Sequence, residues 1–497
     1  MLEHARMKLF ASAGTLFAAA LFTACTVGPD YSRPDVATPA SFKENHDWKL
    51  AQPADDLPRG KWWEIYDDPD LSAMEEQVAA NNQSVAQAEA SYRAANALVD
   101  AARANYFPIV SADASISRSG GGRGGNGVGG VGGVGVTGSS GSRSSTVRSV
   151  SLGASWEIDL WGRVRRQVEA QRANANASAS DLAGIVLSRQ ASLASSYFQL
   201  RLVDAQKQLL DDTITAYRRT LEVTRNRYVG GVSARVDVAQ SETQLKTTQV
   251  QAIDLGVARA QLEHAIALLV GKPASEFAIP AMSWKAFEAK RMPAVPTIGL
   301  PSQLLERRPD IASAERRVAA ANAQIGVAKA AYFPSLGISA SGGFSSAAAA
   351  GLFSAPSRFW SIGPALAETL FDGGLRRAQT AQAAANYDAN VAAYRETVLA
   401  GFAEVEDQLA ALRILEQEAG AQDDALASAR ESLALTLNQY KAGTVSYLNV
   451  VTVQATALAS ERNAVSIFGS RMIASVGLVR ALGGGWTAND NVAAQAR

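Results

Sequence analysis

A chain of 497 residues can bury one large core or several; with 47% hydrophobic, 19% charged and only 7% aromatic residues, it is built from small apolar side chains more than from bulky ones. Its 47 basic residues balance 47 acidic ones, which excludes a globally basic nucleic-acid binder or a polycationic membrane-surface protein. A single cysteine excludes an intramolecular disulfide or a thiolate cluster, and three histidines (His4, His46, His264) offer neither metal-ligand spacing nor a Ser-His-Asp arrangement, so no enzyme is expected.

The chain opens on a secretory pattern. "MKLFASAGTLFAAALFTAC" begins at Met7 with Lys8, runs through a short apolar stretch and ends in small residues, so residues 1–24 are expected to be a signal peptide, with residues 1–6 an upstream extension. The apolar run is too short for a comfortable membrane span. A signal that stops at Cys25 resembles a bacterial lipoprotein signal, in which that cysteine becomes the lipidated first residue. Phe22 stands where leucine is usual, with Leu21 one place earlier, and Thr26 after the cysteine resembles outer-membrane sorting. An ordinary secretory signal with an incidental cysteine is the other reading.

An N-terminal segment is expected over 25–70, then a first unit over 71–270 that starts as an Ala-rich helix. At "YFPIVSADASIS" the period changes: Val110, Ala112, Ala114 and Ile116 alternate with Ser111, Asp113, Ser115 and Ser117, which predicts a strand over about 106–118. The glycine-rich residues 120–141 cannot offset the entropy of packing and read as a flexible loop; no Lys-Ser or Lys-Thr follows them, so they do not form a phosphate loop. A second strand is expected over about 146–161, where Val150, Leu152, Ala154, Trp156, Ile158 and Leu160 share one face.

From Arg163 to Tyr228 there is no proline and one glycine, Gly184. Such a helix would reach on the order of 100 Å at roughly 1.5 Å per residue. A tip turn over about 229–234 and a further helix complete the unit. A connector follows over 271–303, and a second unit over 304–482 repeats the order: helix, strands over about 333–344 and 358–371, long helix, tip turn over about 441–446, helix. Residues 483–497 are expected to be a disordered tail. In the fourth strand Trp360, Ile362 and Leu366 are in phase, while Pro364 and Glu368 disturb the pattern.

The two units are copies. "ARANYFP" at 102–108 aligns with "AKAAYFP" at 328–334, "GRVRR" at 162–166 with "GGLRR" at 373–377, and "RYVGGVSARVDV" from Arg227 with "QYKAGTVSYLNV" from Gln439. The glycine-rich stretch, whose counterpart "SSAAAAGLFSAPSR" is shorter, accounts for the change in spacing between landmarks.

Four strands of about ten residues with one apolar face match the pattern of membrane β-strands, and no apolar run of helical-span length is expected in the mature chain. Aromatics gather at the strand ends (Tyr106, Phe107, Trp161, Tyr332, Phe333, Phe359, Trp360), as interface girdles do. Lipid forbids open sheet edges, and four strands cannot close a barrel, so the chain would borrow strands from copies of itself; three copies give twelve. A soluble sandwich edge with Trp156, Trp161 and Trp360 as core is the alternative.

"CTVGPDYSRP" at the start of the mature chain, "WWEIYDDPDL" at 62–71, "EIDLWGR", "LFDGG" and "LLERRPDIASAERRVAAANAQIGVAKAAYFP" from Leu304 to Pro334 resemble the TolC-like outer-membrane factor family, in its NodT-type lipoprotein branch. Locally, Pro309 and Asp310 suit a helix start, and Arg307, Arg308, Asp310 and Glu315 read as structural ion pairs. The resemblance implies an α+β membrane protein with internal structural duplication. It implies a trimeric 12-stranded β-barrel, four strands per chain, continued by a long periplasmic α-helical barrel.

The implied role is the exit duct of a tripartite efflux pump. It would work passively with a periplasmic adaptor protein and an inner-membrane transporter, as a homotrimer in outer-membrane lipid, with no nucleic acid and no cofactor beyond the covalent lipid (palmitate) on Cys25. Family members close the periplasmic end by an iris of tip helices. By position the gate candidates here are Arg235, Asp237 and Gln240 in the first tip, and Tyr447, Leu448, Asn449 and Thr452 in the second. Relatives often carry an acidic residue at the position of Asn449 or Thr452, and neither is acidic here. Asp237 as a plain turn cap, a type I protein secretion duct, and a lipid-anchored coiled-coil structural protein are the competing readings.

Overall fold

The computed structural model describes residues 26–39, 41–45, 61–120, 144–290 and 307–484. The signal region 1–24, Cys25, the body of the glycine-rich stretch 120–141, the last part of the connector 271–303 (from 291) and nearly all of the tail 483–497 lie outside them. The described elements are, in order, α1 (Pro69–Asn81), α2 (Gln83–Ala104), β1 (Ile109–Gly120), β2 (Ser144–Ile158), α3 (Arg163–Val229), α4 (Arg235–Leu269), a short α5 (Trp284–Glu288), α6 (Pro309–Ala330), β3 (Ser335–Ser346), β4 (Arg358–Ala367), α7 (Leu375–Ala442) and α8 (Tyr447–Ala481). They form two compact units, one of Met1–Ser32, Asn96–Ala173 and Ala319–Ala389, the other of Arg33–Ala95, Asn174–Val318 and Asn390–Arg497.

In the first unit the four strands make one antiparallel sheet in the order β1-β2-β3-β4, so β1 and β4 are open edges. The register aligns Val110, Ala154, Ala340 and Ile362 across the sheet, then Ala112, Leu152, Gly342 and Trp360 in the next row of that face. The other face carries Ser111, Gly153, Ser341 and Ser361. Side chains alternate faces along a strand, so one face is apolar and the other a lawn of serine and glycine. Hydroxyls there bond across strands, Ser115 to Ser149 at 2.8 Å and Ser341 to Ser361 at 2.9 Å. The apolar face is bare: Val110 is 69% exposed and Trp360 80%. A soluble monomer does not leave a patch of that kind uncovered.

The fourth strand starts at Arg358 as expected, while the other strand borders differ from the sequence expectation by a few residues, several for a visible local reason. Tyr106 and Phe107 close the last turn of α2 through bonds to the carbonyls of Arg103 and Ala104, so β1 starts only after Pro108. At the other end β2 stops at Ile158, because Asp159 caps α3, accepting from the amides of Val164 (3.0 Å) and Arg165 (2.9 Å). Asp372 repeats the device on α7, accepting from the amides of Gly374 and Arg376, which ends β4 at Ala367 and puts Glu368 beyond the strand. Pro364 does fall within β4, but on an edge strand, where a missing donor is tolerated.

The start of the described chain is seated in the same unit. Val27 donates to the carbonyl of Trp161 (3.1 Å), Arg166 pairs with Asp30 (2.9 Å), and Asn322 donates to the carbonyl of Pro29 (3.0 Å). Gly28 has φ +110°, and a Cβ there would lie 2.6 Å from the Cα of Gly326. Only two glycines permit this approach.

In the second unit the core joins Trp62, Trp63, Tyr66, Leu71 and Val78 to Tyr197, Phe198 and Leu200 of α3, Ile266 and Leu269 of α4, and Met472, Val476 and Val479 of α8. Here one expectation needs correction. Helix α8 does contain a stretch long and apolar enough to cross a membrane, yet the residues that make it apolar are core. Arg308 is buried between Asp310 (2.7 Å) and Glu404 (2.8 Å) and donates to the carbonyl of Ala481 (3.0 Å), a structural role.

Candidate gate at the helix tips

The turns between α3 and α4 and between α7 and α8 are the same motif twice. Gly231 (φ +70°) and Gly443 (φ +79°) take the left-handed conformation just past each long helix. Val232 donates to the carbonyl of Arg227 (2.8 Å) and Gly231 to that of Tyr228 (3.0 Å); Thr444 donates to Gln439 and Gly443 to Tyr440, both at 3.0 Å. This pair of reversed bonds satisfies carbonyls that an α-helix leaves orphaned at its end. Nothing lies within 4 Å of a Cβ built on Gly231, so Gly231→Ala is expected to cost about 1 kcal/mol from backbone strain alone. Faster amide exchange confined to residues 226–238 would register it, whereas unchanged exchange would mean the turn relaxes freely.

Of the seven positions singled out in the sequence, Asp237 sits in the first turn of α4, where its Oδ2 accepts from the amide of Ala234 (3.3 Å) and the hydroxyl of Ser233 (3.2 Å). It therefore acts as a helix cap, whatever else it does. Arg235 is exposed and Gln240 half-buried. Tyr447 is buried, its ring tilted against that of Tyr440 at 5.5 Å, and burial pushes its hydroxyl up in pKa; it is core to the tip and not a surface group. Leu448, Asn449 and Thr452 are exposed on one side of α8, with the Thr452 hydroxyl donating to the carbonyl of Leu448 (3.0 Å).

The residues that tie the two tips together were not singled out. Arg227 stacks its guanidinium 4.8 Å from the centre of the Tyr440 ring and donates to the carbonyls of Tyr440 (2.9 Å) and Lys441 (3.3 Å). A cation thus meets the negative end of α7. The Tyr440 hydroxyl reaches Thr224 (3.3 Å) and Ser233 (3.5 Å), and Arg225 pairs with Glu242. Alignment of the repeats held the signal, since Gln439 stands where Arg227 does: the clasp comes from one copy only. Around it Val229 (85% exposed), Val232, Val236 and Leu448 leave apolar surface bare at both tips. Among the described residues no cluster of His, Cys, Asp and Glu could hold a metal ion.

A duplicated chain with paired strands, two helices of 67 and 68 residues and twin capped tips defines an outer-membrane channel subunit, and residues 75–272 and 300–484 match the outer membrane efflux protein family. The chain belongs to that family. It is 28% identical over 466 residues to the cation efflux system protein CusC of Escherichia coli, covering 93% of this chain and 96% of that one. To the toluene efflux pump outer membrane protein TtgC of Pseudomonas putida it is 30% identical, with 93% of each covered. Among solved structures the outer-membrane channel OprN superposes with a TM-score of 0.81 at 29% identity, over 93% of this chain and 100% of that one.

Proposed function

We propose that three copies of this chain close their sheets edge to edge into a twelve-stranded barrel and bundle their long helices into a periplasmic tube. The assembly is the passive exit duct of an efflux pump, fed by an inner-membrane transporter through a periplasmic adaptor. The observation that carries this reading is the sheet itself: it has two open edges, a bare apolar face and a serine-lined face. Lipid requires both the closure and that polarity. Apolar tips in an aqueous compartment suit contact with a partner, here the adaptor.

A diacyl anchor on Cys25 fits the same picture. Thr26 packs against Gly162, next to Trp161, whose ring stacks on Phe333 at 4.8 Å and whose Nε1 donates to the carbonyl of Pro334. Thr26 is therefore held beside an aromatic cluster of the kind found at a membrane interface.

The tips are the proposed gate, held by Arg227 on Tyr440 and narrowed by Asp237 and Leu448. A contact worth about 1 kcal/mol, made in three subunits, biases an open–closed equilibrium roughly a hundredfold. Detergent-extracted protein should image as a three-fold particle, and a monomer or dimer would overturn the duct. In planar bilayers Asp237→Ala, Leu448→Ala and Arg227→Gln should each raise single-channel conductance severalfold. Unchanged conductance in all three would remove the gate from the tips and leave the duct standing.

A further inference from the structure

The apolar face of the sheet carries charge at one end only. Reading along it, Arg118 stands two residues before the end of β1, Arg148 in the fifth position of β2, and Arg358 at the start of β4. The register puts all three on the apolar face: Arg148 pairs with Ile116, Arg118 with Thr146, and Arg358 with Phe344, which is next to Val150. Arg118 and Arg148 are diagonal neighbours, and Arg358 lies two strands beyond Arg148, one row nearer the helix end. Diagonal positions on adjacent strands lie about 7–8 Å apart, and Arg358 is two strands, roughly 10 Å, from the strand of Arg148.

Neither a carboxylate nor a lysine lies on this face of the four strands among the described residues. The acids of the strands, Asp113 and Glu157, point to the serine face, where Glu157 is bonded by Arg163 (2.7 Å). At the helix end the apolar face finishes in Trp156, Ile158, Leu336 and Leu366 without a cation. Arginines that merely snorkel to water would serve equally at both ends.

Position along the strand agrees. From Ile158 to Arg148 is ten residues, about 33 Å of strand at roughly 3.3 Å each, or about 25 Å of height at a barrel tilt near 40°. That is the height of an outer-membrane apolar band, so the guanidinium groups fall at its far border. Trp360, Phe344 and Phe353 lie alongside, the last two edge to face at 5.4 Å. Arg148 donates to the carbonyl of Ala347 (2.8 Å), which holds one guanidinium at this rim.

We propose that Arg118, Arg148 and Arg358 form a binding site for the phosphorylated headgroup of a lipid A-type saccharolipid in the outer leaflet, one site per subunit. The inference rests on the barrel reading above. Three arginines suit phosphate because each offers a planar fork of donors that engages two oxygens at once, while remaining charged at any pH the membrane meets. The aromatic rings beside them would border the sugar and the first methylenes of its acyl chains.

The test uses the full-length protein in a neutral detergent, titrated with bisphosphorylated lipid A, the dephosphorylated lipid, phosphatidylglycerol or inorganic phosphate, with bound lipid counted by native mass spectrometry. Bisphosphorylated lipid A alone should bind with high occupancy and raise the melting temperature of the oligomer. Replacing all three arginines by Gln should weaken that binding at least tenfold. Arg358→Gln alone, whose side chain makes no hydrogen bond in the described structure, should weaken it severalfold without disturbing assembly. Equal binding of phosphatidylglycerol or of inorganic phosphate, or full binding by both variants, would overturn the proposal. The mass of the lipid-free particle reports separately on the trimer, so a failed site and a failed barrel give different results.

Discussion

Replacing Asp204 by Ala is expected to lower stability by about 3–5 kcal/mol, the cost of stranding a buried charge whose partner is removed. Asp204, on α3, is sealed at 2% exposure and binds three separate pieces of chain. Its Oδ1 accepts from Arg259 of α4 (2.8 Å); its Oδ2 accepts from the amide of Met282 (3.2 Å) and from Arg201 (3.3 Å). Arg201, itself buried, lies over the Tyr197 ring at 4.7 Å and donates to the carbonyl of Pro280 (2.7 Å). Arg259 in turn reaches the carbonyl of Ile279 (2.6 Å). The segment after α4 is thus held on the helices by polar bonds as well as by the burial of Ile279 and Phe287 in the core. At roughly 2 °C per kcal/mol for a large domain, the melting temperature should fall by about 6–10 °C. The double variant Asp204→Ala/Arg201→Met should recover part of the loss, since it removes the stranded cation too. A single variant that melts with the parent would show that water replaces the carboxylate.

Replacing Glu75 by Gln should do the opposite, and only above mildly acidic pH. Glu75 on α1 is fully buried, and neither carboxylate oxygen has a hydrogen-bond partner among the described residues. Burial pushes it from the usual 4.5 up to about 9. Tyr66 is the titratable neighbour, and its hydroxyl is engaged with Ser475 at 2.9 Å. A folded-state pKa raised above the unfolded value means that the folded chain holds a proton the unfolded chain releases. No penalty exists below about pH 4.5; it grows by about 1.4 kcal/mol per pH unit until the folded value is reached. Near pH 7.5 it amounts to something on the order of 4 kcal/mol. Gln, neutral at every pH, should raise the melting temperature by several degrees at pH 7.5 and match the parent at pH 4.5. Parallel pH profiles for the two proteins would mean that Glu75 is ionised and solvated after all. Because its oxygens are already closed off within one chain, a neighbouring subunit could not supply the missing partner.

These two sites mark the limit of what the sequence discloses. The alternation from Val110 to Ile116 and from Val150 to Ile158 is legible because a strand's period is local and lipid demands a uniform face. The long helices are legible because nothing interrupts them, and the tip glycines because only a left-handed residue ends such a helix economically. The start of β1 is not legible, because Tyr106 and Phe107, aromatic like strand residues, serve a helix turn. The apolar stretch of α8 is ambiguous in the sequence because its composition suits a membrane span as well as a protein core. The Asp204 network, the Arg227–Tyr440 clasp and the burial of Glu75 leave no local pattern. Each depends on partners brought together from distant parts of the chain.

The N-terminal strap has a consequence for how the protein is made. Arg33 bonds Tyr394 (3.1 Å), Phe42 packs on Phe402, the amides of Lys43 and Glu44 bond Glu406, and Glu44 pairs with Arg413 (2.6 Å). These partners are some 360 to 369 residues apart, so closing them encloses about three quarters of the chain. During export the strap emerges first, yet it has nowhere to dock until Arg413 of the 497 residues has crossed. Such high contact order makes docking of the strap a late event in folding, so a part of the chain that crosses early is among the last to find its place.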